Sequence, residues 1–173
     1  MTTMQTTDSD VRGVQVNVCI DGVMSVFQSR MRDILDDHGI EKPDPHPDEW
    51  YPLEDFLEVL EVVELDVGEN ALTKIGEATP QFVEWPTSPT TPADALEHVV
   101  EIFEQNHRNV SGEYHFEQTG DSTGRITSTT PYPAAWEAGF LKGVTEIHGS
   151  EYARVKTVDD SAEGETVFEI RWE

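Results

Sequence analysis

Six histidines, 35 carboxylates and a single cysteine are the groups in this 173-residue chain that could carry acid–base, metal or nucleophilic chemistry. Their most suggestive gathering is Glu113, His115 and Glu117, which alternate along an expected strand and so share one face, with His107 in the turn before it. Two carboxylates and imidazoles are the donor set of a divalent-cation site, so one reading is a small metal- or carboxylate-dependent enzyme using that face. Among 35 carboxylates, however, such neighbours also arise from composition, and spacing by itself shows no shifted pKa. The remaining histidines have simpler readings. His38 and His148 fall at expected helix ends, His46 lies between prolines, and His98 sits beside core positions of a helix.

Arg108 closes the triplet Asn106-His107-Arg108 at an expected helix-to-strand corner. It suits either the anionic group of a ligand or a structural ion pair. Cys19, within Val-Gln-Val-Asn-Val-Cys-Ile, reads as a small buried hydrophobe and can form no intramolecular disulfide. The chain contains no Walker loop, G-x-G-x-x-G, H-E-x-x-H or G-x-S-x-G, which removes the commonest nucleotide, zinc-protease and hydrolase readings. Thr130-Pro131-Tyr132-Pro133 is the clearest piece of fixed geometry. Two prolines around a tyrosine forbid helix and central strand, so the chain must turn there. Tyr132, Trp136 and Phe140 then recur every four residues, which lines them up either as core or as the wall of an apolar cavity.

The elements that must hold these groups follow from periodicity. Val14, Val16 and Val18 alternate as a short strand, and Val23 to Leu35 has the spacing of one helical face, stopped near Gly39. EKPDPHPDEWYP carries four prolines in twelve residues and reads as a connector anchored by Trp50 and Tyr51. Helices are expected after Pro52, around Leu72 and Ile75, and from Pro92 to Arg108 with Thr91 as N-cap. Beyond that the period changes. Tyr114 and Phe116 alternate with polar neighbours, Gly124 to Thr130 forms a second strand of a hairpin, residues 131–149 form a helix, and two more strands finish the chain. The order predicts an α+β fold: N-terminal helices packed on an antiparallel sheet of about four or five strands, with a β-β-α-β-β C-terminal half. Residues 1–10 are expected to be frayed, and 11–173 to form one domain.

The net charge of -24 repels phosphate backbones and anionic lipids, so neither nucleic acid nor a membrane is an expected partner. The carboxylates are spread through the chain rather than gathered in a tail, which points to a folded surface. In molar salt the Debye length shrinks to about 3 Å and most of the self-repulsion is screened, so the composition predicts a halophilic, salt-in host. A rival reading is an acidic protein-interaction module that occupies a basic partner. No stretch is apolar enough to span a membrane and the N-terminus lacks a signal peptide's pattern, so a cytoplasmic location is expected.

Three segments carry a resemblance: His38-Gly39-Ile40 with Trp50-Tyr51-Pro52 following; Asn106-His107-Arg108 followed by Gly-Glu-Tyr; and Thr130-Pro131-Tyr132-Pro133 with Gly139 and a terminal Phe-x-Ile-x-Trp. Over about residues 20–173 the chain resembles a family of uncharacterised haloarchaeal proteins. More distantly it resembles the 4-vinyl reductase type of small-molecule-binding domain, whose fold is shared with haem nitric-oxide sensors and TRAPP subunits. The resemblance implies helices on an antiparallel sheet, an apolar ligand cavity and a homodimer. Relatives often carry cysteines beside the Pro-Tyr-Pro element and before the last strand, where this chain has Thr129, Ala134 and Thr166, so no cysteine-based metal role carries over. The Tyr-x-Ser-x-Arg propionate clamp of the haem sensors is also missing, and no cofactor is expected. Together these features predict a non-enzymatic domain that binds or senses an apolar small molecule, with Tyr132, Trp136, Phe140 and Arg108 as its candidate contacts.

Overall fold

Asp10–Arg12 forms β1, the middle strand of a small antiparallel sheet in the computed structural model, which describes residues 9–40, 48–85, 88–147, 152–158 and 164–172. β1 pairs with β2 (Trp50–Pro52) on one edge and with β3 (His107–Arg108) on the other, tying three distant parts of the chain together. Trp50 and Tyr51, expected to anchor a connector, are thus strand residues. The prolines of that connector at 43, 45 and 47, and His46 and His148, lie outside the described residues, as do residues 1–8 of the expected frayed segment.

The strand expected over Val14 to Val18 is instead part of a helix, α1 (Gly13–Asp21). Gln15, Val16, Val18, Cys19 and Ile20 are all buried there. A helix buried on most of its circumference shows no apolar stripe, so its valines imitate the alternation of a strand. Burial then overrides the β preference of the branched side chains. α2 (Ser25–Asp37) ends where Gly39 takes φ 85°, a left-handed conformation that glycine adopts without strain. α3 (Leu53–Asp66) buries Phe56, Leu60 and Val63 as its spacing predicts. α4 (Glu69–Ala78) runs into a 3-10 turn, Thr79–Gln81.

Thr91 caps the next helix, accepting a hydrogen bond from the Asp94 N–H at 3.0 Å. The single helix expected from Pro92 to Arg108 is divided into α5 (Pro92–Glu97) and α6 (Val99–Gln105). The break is at His98, whose ring Nδ1 lies 2.8 Å from the Asp94 carbonyl and whose backbone turns to φ -81°, ψ -5°. A side chain bonded to a backbone carbonyl one turn back loosens a helix at that point.

The C-terminal half has the expected order. β4 (Tyr114–Gly120) and β5 (Thr123–Ser128) form a hairpin, α7 (Ala134–Glu146) follows, and β6 (Ala153–Val158) and β7 (Thr166–Trp172) complete an antiparallel sheet ordered β4-β5-β7-β6. Ile126, Phe168, Ile170 and Trp172 face inward under α7, and Glu169 and Arg171 alternate outward. The molecule is therefore α+β, with two antiparallel sheets and helices packed between and against them. No described helix is long and apolar enough to cross a membrane.

α7 is held unusually close to α4. A Cβ built on Gly139 would stand 2.0 Å from the Thr73 carbonyl oxygen, one on Gly76 2.2 Å from that of Trp136, and one on Gly143 2.3 Å from that of Glu77. Replacing a helix-interior glycine by alanine ordinarily gains about 1 kcal/mol of helix propensity. Gly139→Ala is nonetheless expected to lower stability by about 1–3 kcal/mol, because backbone cannot yield as a side chain would and the helices must separate. Urea denaturation midpoints at fixed salt check this, and a raised midpoint would contradict the close approach.

Candidate functional site

The Thr130-Pro131-Tyr132-Pro133 turn delivers the polypeptide from β5 into α7 and points Tyr132 inward, where it is 5% exposed. Its hydroxyl is the centre of a buried hydrogen-bonded chain. Gln15 Nε2 lies 2.8 Å from it and His107 Nε2 2.5 Å, and His107 Nδ1 is 2.8 Å from the Phe103 carbonyl. A carbonyl can only accept, so Nδ1 carries the imidazole proton and Nε2 is bare. Tyr132 then donates to Nε2 and accepts from the Gln15 amide, leaving no clash of donors. Burial pushes the His107 pKa down to about 4, only partly opposed by the bond to Phe103, so the ring is neutral at ordinary pH.

Tyr132 also begins a row of stacked rings. Its centroid is 4.4 Å from that of Trp136, which is 5.1 Å from Phe140, with interplanar angles of 21° and 12°. Tyr114 continues the row beyond Phe140 at 6.2 Å, and Phe103 meets Tyr114 edge-on at 5.4 Å while lying flat against His107 at 4.1 Å. The four-residue spacing of Tyr132, Trp136 and Phe140 thus does bring the three rings together. Arg108 is not among them. It is an exposed residue with its guanidinium 3.0 Å from the Asp10 carboxylate and 4.2 Å above the Trp50 ring.

Beneath the same turn lies a group that the helical spacing does not reveal. Glu137, one position from Trp136, is 1% exposed, and its Oε2 accepts hydrogen bonds from Ser128 Oγ and Thr130 Oγ1, each at 2.5 Å. Burial raises its pKa to about 7 against the opposing pull of these hydroxyls. The first turn of a helix favours an anion by only about 0.3–1 kcal/mol at an exposed site, up to about 2 kcal/mol when partly buried, too little to offset removal from water. Burial, and after it the nearby Glu137 carboxyl, holds the Tyr114 phenol well above the usual range, and the phenol is too poorly placed for a hydrogen bond to that carboxyl of ordinary geometry. Its hydroxyl, Trp136 Nε1 and Asn106 Oδ1 are buried without a partner among the described residues. The sequence signal for Glu137 is its isolation: it is the one charged residue between Pro131 and Leu141. Gln15 carries no such signal, since its place in α1 is masked by the apparent alternation.

An indentation of about 300 Å³ opens onto this row between α6 and the start of β4, lined by Val100, Phe103, His107, Val110 and Tyr114 together with the polar Glu104, Asn109 and Glu113. Glu113, His115 and Glu117 are exposed, His115 and Glu117 on the outward side of β4. His107, by contrast, has both nitrogens committed inside. Among the described residues no three His, Cys, Asp or Glu side chains are gathered as a metal site would require.

No protein-family model matches the sequence, and no curated protein matches it. Solved structures do match its backbone. An oxygen-binding H-NOX domain related to soluble guanylate cyclases superposes with a TM-score of 0.64 at 12% identity, covering 94% of this chain and 95% of that one. The Fe(II) unliganded H-NOX protein from K. algicida gives a TM-score of 0.64 at 15% identity over 94% and 96%. A variant of the T. tengcongensis H-NOX gives 0.63 at 11% over 94% and 97%. The fold is that of H-NOX domains. The likeness extends over nearly the whole length of each H-NOX chain. At such low identity it is a likeness of backbone path, and the side chains that act must be read from this chain itself.

Proposed function

We propose that this chain is a non-enzymatic small-molecule-sensing domain on the H-NOX fold, and that its ligand is an apolar molecule received where the aromatic row meets the indentation at Phe103, His107 and Tyr114. The observation that carries this reading is the row itself: stacked rings that reach the indentation at Tyr114, whose buried hydroxyl has no partner among the described residues. A partnerless buried polar group costs about 1–3 kcal/mol, and such costs persist where a ligand or water completes the site.

Two of the structural neighbours are described by their haem. The residues here do not fit that group. To ligate iron through Nε2, His107 would have to give up Tyr132. The space beside it is already filled by Tyr132, Trp136 and Phe140, with Phe103 flat against the imidazole. Arg108, the nearest cation in sequence, is engaged with Asp10 and Trp50 rather than offered to a propionate.

The charge of -24 supports a cytoplasmic setting of high salt, and the haloarchaeal resemblance points the same way. The test uses Nile red, which is neutral and therefore indifferent to that charge. In molar KCl the wild type should bind it saturably, and Val100→Trp, which fills the indentation from the α6 side, should weaken binding by about tenfold with circular dichroism unchanged. Absence of saturable binding, or equal affinity in the variant, would sink the proposal.

A further inference from the structure

The outward face of the β4-β5-β7-β6 sheet departs from the rest of the surface. Of 11 lysines and arginines in the chain, Arg125, Arg154, Lys156 and Arg171 all stand exposed on this face and surround a shallow basin of about 490 Å³. Elsewhere four cations are matched, Arg12 by Asp48, Arg30 by Asp66, Arg108 by Asp10, and Lys142 by Glu77 and Glu146, while Lys74 stands exposed on α4. On the sheet the main carboxylate is Glu169, held by Arg125 at 3.2 Å, with Glu117 opposite Arg125 toward the β4 edge. Lys156 and Arg171 form no ion pair among the described residues. Arg171 is moreover the register partner of Arg154, and like charges directly opposite on neighbouring strands are destabilising. The Arg154 guanidinium is turned onto the Tyr152 hydroxyl and ring, and Glu169 is the register partner of Lys156, so on this face two carboxylates, Glu117 and Glu169, stand against four cations.

We propose that this face is a docking surface for an acidic segment of a protein partner, laid along β6 and β7 with its carboxylates on Lys156, Arg171 and Arg154. Arg154 and Lys156, two residues apart on β6, are spaced by roughly 7 Å like successive same-side residues of an extended peptide, and Arg171 stands opposite Arg154 on the neighbouring strand. A basin this open suits a chain lying on it better than an enclosed small molecule. A nucleic acid long enough to leave the sheet would meet the acidic remainder of a molecule of charge -24 and be repelled. A local basic face on an acidic body instead selects short acidic segments and fixes their register.

The test is fluorescence anisotropy with a fluorescein-labelled ten-residue glutamate peptide, at the lowest KCl concentration at which circular dichroism shows the native fold. The wild type should bind saturably, and K156E/R171E should weaken binding by about tenfold or more. K156Q/R171Q, which adds no repulsion against Glu169, should shift it in the same direction by less. The charge-matched control R30E/K74E should stay within about twofold of wild type. Absence of saturable binding, or equal weakening by the control, overturns the proposal. Equally tight binding of a ten-nucleotide thymidine strand would replace the acidic peptide by a phosphate polymer. A concentration-dependent dimer in sedimentation that K156E/R171E abolishes would replace it by a second copy of this chain.

Discussion

Replacing Glu137 by glutamine should make the protein more stable at pH 8 and remove a pH dependence that the wild type shows. The carboxyl keeps its proton up to about pH 7 in the fold but only to about 4.5 when exposed in the unfolded chain. Between these values the folded state holds the extra proton. The stability supplied by the neutral carboxyl is therefore complete below about 4.5 and is lost as the pH rises through about 7. The full difference corresponds to about 3 kcal/mol, large against the 5–15 kcal/mol that holds a typical domain together. Glutamine keeps an acceptor for the Ser128 and Thr130 hydroxyls without ever ionising. Urea midpoints of wild type and Glu137→Gln between pH 5 and pH 8 should diverge as the pH rises, the variant becoming the more stable. Parallel curves, or a variant that weakens at pH 8, would mean that the carboxylate is solvated or paired. Because Glu137 fastens the end of β5 to α7, its ionisation bears on the same turn that positions Tyr132.

Trp136→Ala should destabilise the protein by opening a cavity in the middle of the row. The side chain is 2% exposed and stacked between Tyr132 and Phe140, so its removal deletes contacts on both ring faces and leaves a cavity. Such truncations typically cost about 3–5 kcal/mol. Here the indole N–H has no partner among the described residues, and losing that unsatisfied donor returns about 1–3 kcal/mol, so the expected net loss is about 2 kcal/mol. Trp136→Phe separates the two contributions. It keeps a ring between the neighbours and removes the orphaned donor, so it should cost much less than alanine. A loss below about 1 kcal/mol for Trp136→Ala would show that the ring is not part of a packed interior.

What the sequence determined by itself is whatever rests on local spacing. The N-cap at Thr91, the stop at Gly39, the β4–β5 hairpin and the face shared by Tyr132, Trp136 and Phe140 all follow from neighbours within a few positions, where backbone preference and side-chain period agree. Its composition also set the charge against which the basic sheet face stands out. What only the tertiary structure decided is whatever depends on partners far along the chain. The identity of α1 as a helix required burial on nearly every side, which erases the period that would reveal it. The three-stranded sheet joins β1 to strands of two and three residues, too short to carry a pattern of their own. The hydrogen-bonded chain through Gln15, Tyr132 and His107 spans separations of 117 and 25 residues. Glu137 was visible as a lone charge in an apolar run, but whether it would face water or the interior depended on Ser128 and Thr130 being brought over it by the proline-bracketed turn. The basic face likewise needed the sheet's register, because Arg154 and Arg171 become neighbours only when β6 and β7 pair. Local physics reaches about one helical turn or one hairpin, and groups that act together across the fold are joined by packing that no short window of sequence contains.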